Sequence, residues 1–470
     1  MTISQTQPHL ETIISLAKRR GFVFPTSEIY GGLANTYDYG PLGTELLKNI
    51  RDLWWRDFIT MREDMMGLDS AIILHPRTWV ASGHVNSFTD PLIEDKETHK
   101  RYRADHLIET WLKDSDYDLN EFDVDGMTLE DMASFMDQHG LLSPDGNPIT
   151  KPKAFNIMFK TGIGAVSGEK SEVYLRGETA QGIFTNFQQV VHSSRIKLPF
   201  GIGQIGKSFR NEITTGQFIF RTLEFEQAEI EYFFDPAETP WSDVFTDWQD
   251  RMWSFVVDRL GIRENNLRWR QHGDSERSHY SQDTYDIDYN FPFGWKELWG
   301  IAYRTDYDLK QHMKHSGKSL EYIDPTSGKR ILPHVVEPAA GINRLFLMIL
   351  IDAFWEDEER NRTVLKIKPN LAPYTVAVFP LVKNKPDLME KARGVFKELL
   401  EEMSAVWDNR GNIGKRYLYQ DEIGTPFCVT VDYETLDKDT VTVRDRDTTK
   451  QERIAIPNLV TYLKDKLKQN

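Results

Sequence analysis

Only one cysteine, Cys428, occurs in the 470 residues, so an internal disulfide and a multi-cysteine metal site are both excluded. No structural metal is expected. Apolar runs are short: Leu345–Ile351, the longest near the middle, has seven residues, against the roughly 20 needed to span a bilayer. The amino-terminal segment lacks a basic head followed by an apolar block and a small-residue cleavage site. A cytoplasmic protein with no membrane partner is the expectation. Positive charge is also in deficit. The formal net charge of −15 argues against non-specific coating of nucleic acid. There is no internal repeat, no low-complexity tract and no convincing Ser-His-Asp or Cys-His set. His99, His272, His279 and His315 stand at spacings that assign them neither metal nor catalytic work.

What is present is an ordinary globular composition, 40% hydrophobic and 27% charged, long enough for two or three domains. Leu10, Ile13, Ile14 and Ala17 recur at helical spacing and predict an amphipathic first helix. The charge is uneven. Nine acidic residues and no Lys or Arg lie between Asp114 and Asp137, which reads as a solvated insert. From Leu371 onward, 16 basic residues balance 16 acidic ones, so a polyanion is better met there. Three blocks follow: residues 1–365 with an acidic insertion at about 91–150, a Pro-bearing linker at 366–374, and a compact α/β block at 375–470. In that last block the pattern predicts strands at Thr375–Phe379, Arg416–Tyr419, Cys428–Val431 and Val441–Arg444, with a helix over Leu388–Trp407.

The stretch "GIGQIGKS", residues 201–208, fits G-x-x-x-x-G-K-[ST], the spelling of a phosphate-binding loop. Its surroundings do not suit one. Pro199 interrupts the segment where a buried strand should lead in, and "SFRNEI" alternates with period two instead of starting a helix. The alternation predicts a strand carrying Arg210 and Glu212, paired with a second strand over Phe218–Phe234. Arg221, Phe225 and Glu229 would share their surface. Guanidiniums suit phosphate oxygens, an aromatic ring suits a purine face, and carboxylates suit ammonium or exocyclic amino groups.

These residues resemble the motifs of class II aminoacyl-tRNA synthetases. "FRNE" with Arg221–Phe225 is similar to the second class-defining motif, and "GINRL" with Arg344 to the third. The first falls within Leu42–Ile73. More specifically, the chain resembles the family of dimeric glycyl-tRNA synthetases over nearly its whole length. The resemblance is carried by "RRGFVFPTSEIYGG", "YDYGPLG", "RYRADHLIE", "ETAQGIF", "GIAYRTDYDL" and "QDEIGTPFCVTVD". It implies an α+β fold: a six-stranded-type antiparallel catalytic sheet flanked by helices, then a C-terminal α/β anticodon-binding domain. It further implies a homodimer that uses glycine, ATP with Mg²⁺, and tRNA(Gly).

By the same resemblance, ATP meets Arg210, Asn211, Glu212, Phe220, Arg221, Thr222, Leu223, Glu224, Phe225, Glu297, Leu298, Gly341, Ile342, Asn343 and Arg344. Glycine meets Arg103, Glu178, Phe225, Glu226, Gln227, Ala228, Glu229, Glu337, Pro338, Ala339, Ala340 and Gly341. Arg210, Glu212 and Arg344 are the expected catalytic residues, with Arg176 and Arg304 balancing the carboxylates. Five positions depart from the family pattern: Gly177, Leu223, Trp299, Ala339 and Asn343 stand where proline, arginine, an acid, serine and aspartate are common. With the principal arginines and glutamates retained, the expectation is an active ligase. The alternative is a weakened paralogue that binds RNA or protein. For tRNA, Arg410, Lys415, Arg416, Arg444 and Arg446 are the candidate contacts.

Overall fold

Pro41 at the first helical position, followed by Leu42, Leu46, Leu47, Ile50 and Leu53 on one side, makes residues 41–55 a helix with a single apolar face. It belongs to a computed structural model that describes residues 8–115, 124, 126–164, 171–213, 216–273 and 281–469. In chain order the elements that frame the main body are α1 (Leu10–Arg20), α2 (Pro41–Trp55), β1 (Met65–Gly67), α3 (Ala180–Ser194), β2 (Phe200–Phe209), β3 (Glu224–Phe234), β4 (Leu267–Gln271), β5 (Asp283–Phe291), β6 (Gly294–Thr305), α4 (Tyr307–Ser316), β7 (His334–Gly341) and α5 (Ile342–Ala353). The amphipathic first helix is present as expected.

The strands form one sheet in the order β4-β5-β6-β7-β3-β2-β1. Six run antiparallel, and β1 adds to the edge of β2 in parallel, one strand more than the antiparallel set expected. Strand alternation decides what each face meets. Ala228, Ile230, Tyr232 and Phe234 of β3 pack into the large core shared with α2 and α5, whose residues are apolar nearly all round. On the other face Phe233, Ile202 and Val335 pack with Ala180, Ile183, Phe184 and Phe187 of α3. Further along that second face the apolar residues give way to charged ones, and the sheet opens into a cleft.

Two strand expectations are corrected. β2 ends at Phe209, so Arg210–Ile213 leave the sheet, and "GIGQIGKS" is itself the strand. Its glycines serve close packing: a Cβ at Gly206 would lie 2.1 Å from Arg176 Nη2, and one at Gly203 would lie 2.3 Å from Ile59 Cδ1. Phe218–Phe220 form a 3₁₀ turn and β3 starts only at Glu224, because residues 217 and 218 take positive φ.

Residues 89–156 hold a small layer of their own. Strands Thr89–Glu94, Arg101–Arg103 and Lys153–Asn156 form a three-stranded sheet. Against it Ile93, Ile108, Leu112, Met132 and Phe135 make a separate core. Of the acidic run, residues 116–123 and 125 lie outside the described residues, as does His279.

Beyond the linker, β8 (Val376–Pro380), α6 (Pro386–Glu402), β9 (Ala405–Trp407), α7 (Ile413–Ile423), β10 (Phe427–Val431), β11 (Thr440–Asp445), β12 (Gln451–Ala455) and α8 (Leu459–Gln469) enclose a further core. The sheet order is β9-β8-β10-β11-β12. Residues 416–419 lie inside helix α7, not in a strand, and the predicted helix stops at Glu402.

Three of the candidate RNA-contacting arginines are structural. Arg416 donates to the carbonyls of Pro380, Arg410 and Gly411. Arg446 donates to those of Ile367 and Gly424. Arg444 grips the fully buried Asp421 at 2.7 and 2.9 Å, and Arg362 reaches the same carboxylate at 2.7 Å. Arg410 and Lys415 remain exposed. Removing Asp421 leaves the buried Arg444 without its carboxylate, while Arg362 keeps Asp357 at 2.8 Å; breaking a buried pair costs about 3–5 kcal/mol. Asp421→Ala is therefore expected to lower stability by that amount in urea unfolding, and a loss below about 1 kcal/mol would contradict the account.

Candidate active site

Backbone hydrogen bonds fix the segment that follows β2. Arg210 N donates to Leu223 O at 3.0 Å, Asn211 N to Ile157 O at 2.7 Å, and Glu212 N to Arg210 O at 2.8 Å. Arg210 and Glu212 consequently face a cleft of about 650 Å³ over the sheet. The Arg210 guanidinium lies between two rings, 5.0 Å from Phe88 and 5.3 Å from Phe225, and donates to Gly177 O at 3.2 Å. Neither Arg210 nor Arg221 has a carboxylate within ion-pairing distance among the described residues. Two cations without such partners on one wall are suited to an anion. Arg344, at the start of α5, stacks 4.5 Å above Phe220 and pairs with Glu297 at 3.1 Å. The Arg344 charge holds the Glu297 carboxyl below its usual value.

The other end of the cleft is carboxylate-rich. Glu178, just before α3, lies 3.4 Å from His84 Nε2 and accepts from Gln181 Nε2 at 2.9 Å. Burial works to raise its carboxyl, but His84, Arg304 and Gln181 outweigh it and hold Glu178 well below the ordinary range. Glu229 of β3 accepts from the Thr179 hydroxyl. Burial and the neighbouring Glu178 charge push Glu229 up to about 7. Arg304 of β6 bonds Glu337 of β7 and clamps Asp308 of α4 at 2.8 and 2.9 Å. Arg176 does not join them: it donates to the carbonyls of Lys207 and Ser70. Of the two, Arg304 bonds the carboxylates, and Arg176 acts on Glu229 only through its charge. Arg103 enters from the small layer, paired with Asp90 at 3.0 Å and Asp105 at 2.5 Å.

Of the expected site residues, the cleft brings together Arg103, Glu178, Arg210, Glu212, Phe220, Arg221, Thr222, Phe225, Gln227, Glu229, Glu297, Glu337, Ala339, Ala340, Gly341, Asn343 and Arg344. Asn211, Leu223, Glu224, Glu226, Ala228, Leu298, Pro338 and Ile342 do not line it. Strand alternation accounts for much of the second group. Glu224 pairs with Lys207, and Glu226 pairs with Arg51 at 2.7 Å. Ala228, Leu298 and Ile342 join the large core. Trp299, one of the family departures, is also there, 5.5 Å from Phe58. Asn343 accepts from Glu226 N at 2.7 Å and donates to the Tyr39 hydroxyl, so the amide at this position serves as a strut. Phe88, Asp90, His272 and Asp286 also line the cleft and were not foreseen. His272 bonds Asp286 at 2.7 Å. Asp286 stands opposite Gly300 in the β5–β6 register, but that pairing is long-range and leaves no local sequence signal.

A seven-stranded, mainly antiparallel sheet with an anion-ready wall and an acidic pocket is the frame of a class II aminoacyl-tRNA synthetase. The solved prolyl-tRNA synthetase from Cryptosporidium parvum, complexed with halofuginone and AMPPNP, is similar in fold. Its TM-score is 0.63 at 13% identity, over 97% of this chain and 75% of that one. Residues 375–466 match the family described as "Anticodon binding domain". Glycine--tRNA ligase from Caldanaerobacter subterraneus subsp. tengcongensis is 51% identical over 98% of this chain and 98% of its own. Those from Bacillus anthracis and Clostridium tetani are 50% and 48% identical, covering 97% and 99% of this chain and 99% and 100% of theirs. The chain belongs to the glycine--tRNA ligase family.

A consequence for binding follows from Glu229. An ammonium arriving beside it favours the charged carboxylate, so uptake at pH 6 expels a proton. The sign for stability is the reverse of a salt-bridged acid. The folded protein holds more protons than the unfolded chain between about 4.5 and about 7, so this group's contribution falls as pH rises through that window. At pH 6, calorimetric glycine binding should give a heat that varies with buffer ionisation enthalpy. Equal heats in all buffers would exclude Glu229 as a contact of the glycine ammonium.

Proposed function

We propose that this chain is an active glycine–tRNA ligase in which the cleft condenses glycine with ATP to glycyl-adenylate and pyrophosphate. The glycyl group then passes to the 3′ end of tRNA(Gly). The observation that carries the reading is the adjacency of Arg210 and Arg221, without ion-pair partners among the described residues, to the buried pocket of Glu178, Glu229 and Glu337. In-line attack of a carboxylate on the α-phosphorus needs no protein nucleophile; it needs positioning and neutralisation of developing charge. Arg210 serves the α-phosphate and the attacking carboxylate. Arg221 and Arg344 hold the outer phosphates. The adenine lies between Phe225 and Arg344, with Glu212 accepting from its amino group. Mg²⁺ takes hard oxygen donors, and Glu297 and Asp286 are the cleft carboxylates of that kind beside Arg344. Bound there, it would neutralise phosphate charge.

Glycine is selected by exclusion. Glu178, Glu229 and Glu337 surround the ammonium, and rigid walls leave no room for a Cβ substituent, which discriminates by repulsion. Residues 1–365 act as the catalytic domain and 375–470 as the anticodon-binding domain, joined by 366–374. Two copies pair through residues 42–73, where Met61, Ile72 and Ile73 are exposed. The reaction places the enzyme in the cytoplasm, where charged tRNA is consumed.

ATP–pyrophosphate exchange with each amino acid in turn tests the reading. Exchange with glycine alone supports it. Exchange with none would favour the second reading, a binding paralogue, which rests on Gly177, Ala339 and the other departures.

A further inference from the structure

Glu231 is fully buried, and neither of its carboxylate oxygens has a hydrogen-bond partner among the described residues. Its place in the sheet explains why this is unusual. On its face of β3 it lies between Glu229, which opens onto the cleft, and Phe233, which packs with Phe184, Phe187 and Phe200. Across the strands, the register that sets Glu229 opposite Ala339 and Tyr232 opposite Val336 sets Glu231 opposite Glu337. Single carboxylate oxygens of Glu229, Glu231 and Glu337 lie within 4.8 Å of one another. Two like charges directly opposed on a buried face are destabilising, and two carboxylates sharing one site do not both ionise.

The charges that face this group from each neighbouring element do not neutralise it. Glu229 comes from its own strand, Glu337 from β7, Asp308 from α4 and Glu178 from the segment before α3. Against these carboxylates stands Arg304 of β6, whose guanidinium bonds Glu337 and Asp308. His84 and Gln181 serve Glu178.

We propose that Glu231 is a neutral carboxylic acid that shares its proton with Glu337, making it the residue that positions Glu337 against the glycine ammonium. Burial raises both carboxyls, and the guanidinium on Glu337 decides which of the two holds the proton. Glu231 itself does not touch glycine. It fixes the orientation and charge of the group that does. The three oxygens do not make a metal site of the same quality, because Arg304 already occupies the Glu337 carboxylate. The inference deepens the glycine-activation reading and rests on it for the ammonium, but not for the proton.

The test compares the parent with Glu231→Gln and Glu231→Leu. Glutamine keeps a donor toward Glu337 without a charge, and leucine removes it. The glycine KM of Glu231→Gln should stay within about threefold, while that of Glu231→Leu rises about tenfold or more, with the ATP KM unchanged in both. As pH rises, the glycine KM of the parent should climb more steeply than that of Glu231→Gln. Infrared difference spectra of the protein without substrates should show a protonated-carboxyl C=O band at pH 8 in the parent that Glu231→Gln lacks. Superimposable spectra would overturn the proposal even if Glu231→Leu does not fold. So would Mn²⁺ binding, read by electron paramagnetic resonance, that Glu231→Gln abolishes. Absence of glycine-dependent exchange in the parent would instead remove the functional reading, leaving the infrared band to report the proton.

Discussion

Arg210→Ala should lower glycine-dependent ATP–pyrophosphate exchange by about a hundred- to a thousand-fold, the scale set by removing one preorganised donor from a developing charge. The guanidinium is held by its stacking between Phe88 and Phe225 and by its bond to Gly177 O, and among the described residues it has no ion-pair partner to reorganise away from. Its backbone is anchored to Leu223, so the side chain arrives with little entropy left to lose. Lys207→Ala is the matched control. Lys207 points out of the cleft toward Glu224, with both side chains nearly half exposed. An exposed pair of this kind contributes about 1 kcal/mol at most, so exchange should stay within a few-fold. A Lys207 variant as damaged as the Arg210 variant would return the phosphates to the glycine-rich stretch. Near-parental rates in Arg210→Ala would remove the residue from the α-phosphate.

The second large effect is expected at Glu178. Its charge persists where Glu229 is pushed toward protonation, so it is a carboxylate available to a substrate ammonium at neutral pH. Glu178→Ala also leaves His84 without its acceptor and Gln181 with one acceptor fewer. Breaking a buried charge pair costs about 3–5 kcal/mol, or a hundred-fold and more in glycine kcat/KM. The ATP KM should move by less than about threefold, since Glu178 and the Arg344 end of the cleft are separate clusters. Unchanged glycine activation would exclude Glu178 from the site.

The fold was legible in the sequence where local pattern carries it. Period-two alternation announced the β3 face from Phe225 to Glu229, and the spacing of Leu10, Ile13, Ile14 and Ala17 announced the first helix. It was not legible where backbone conformation or long-range pairing decides. The turn at residues 217–220 breaks a run that reads as strand, because positive φ there leaves no compositional mark in "GQFIF". Arg416, Arg444 and Arg446 read as surface charges because their carbonyl and carboxylate partners are distant in sequence or contributed by backbone. The site divides in the same way. Glu178, Arg210 and Arg344 stand in short quoted motifs, whereas Asp286 and His272 reach the cleft only through strand register. The loop-like spelling of 201–208 misleads because glycine also serves strands that must admit a neighbour, here the guanidinium of Arg176.

Asp421, held by Arg362 on one side and Arg444 on the other, and Glu422, reached by both Arg19 and Arg20 of α1, tie α7 to the main body at two adjacent points. A tether of two bonded carboxylates does not act as a swivel. Two ion-paired carboxylates on successive residues resist rotation about one helix, so α7 works as a rivet between the matched anticodon-binding segment and the main body.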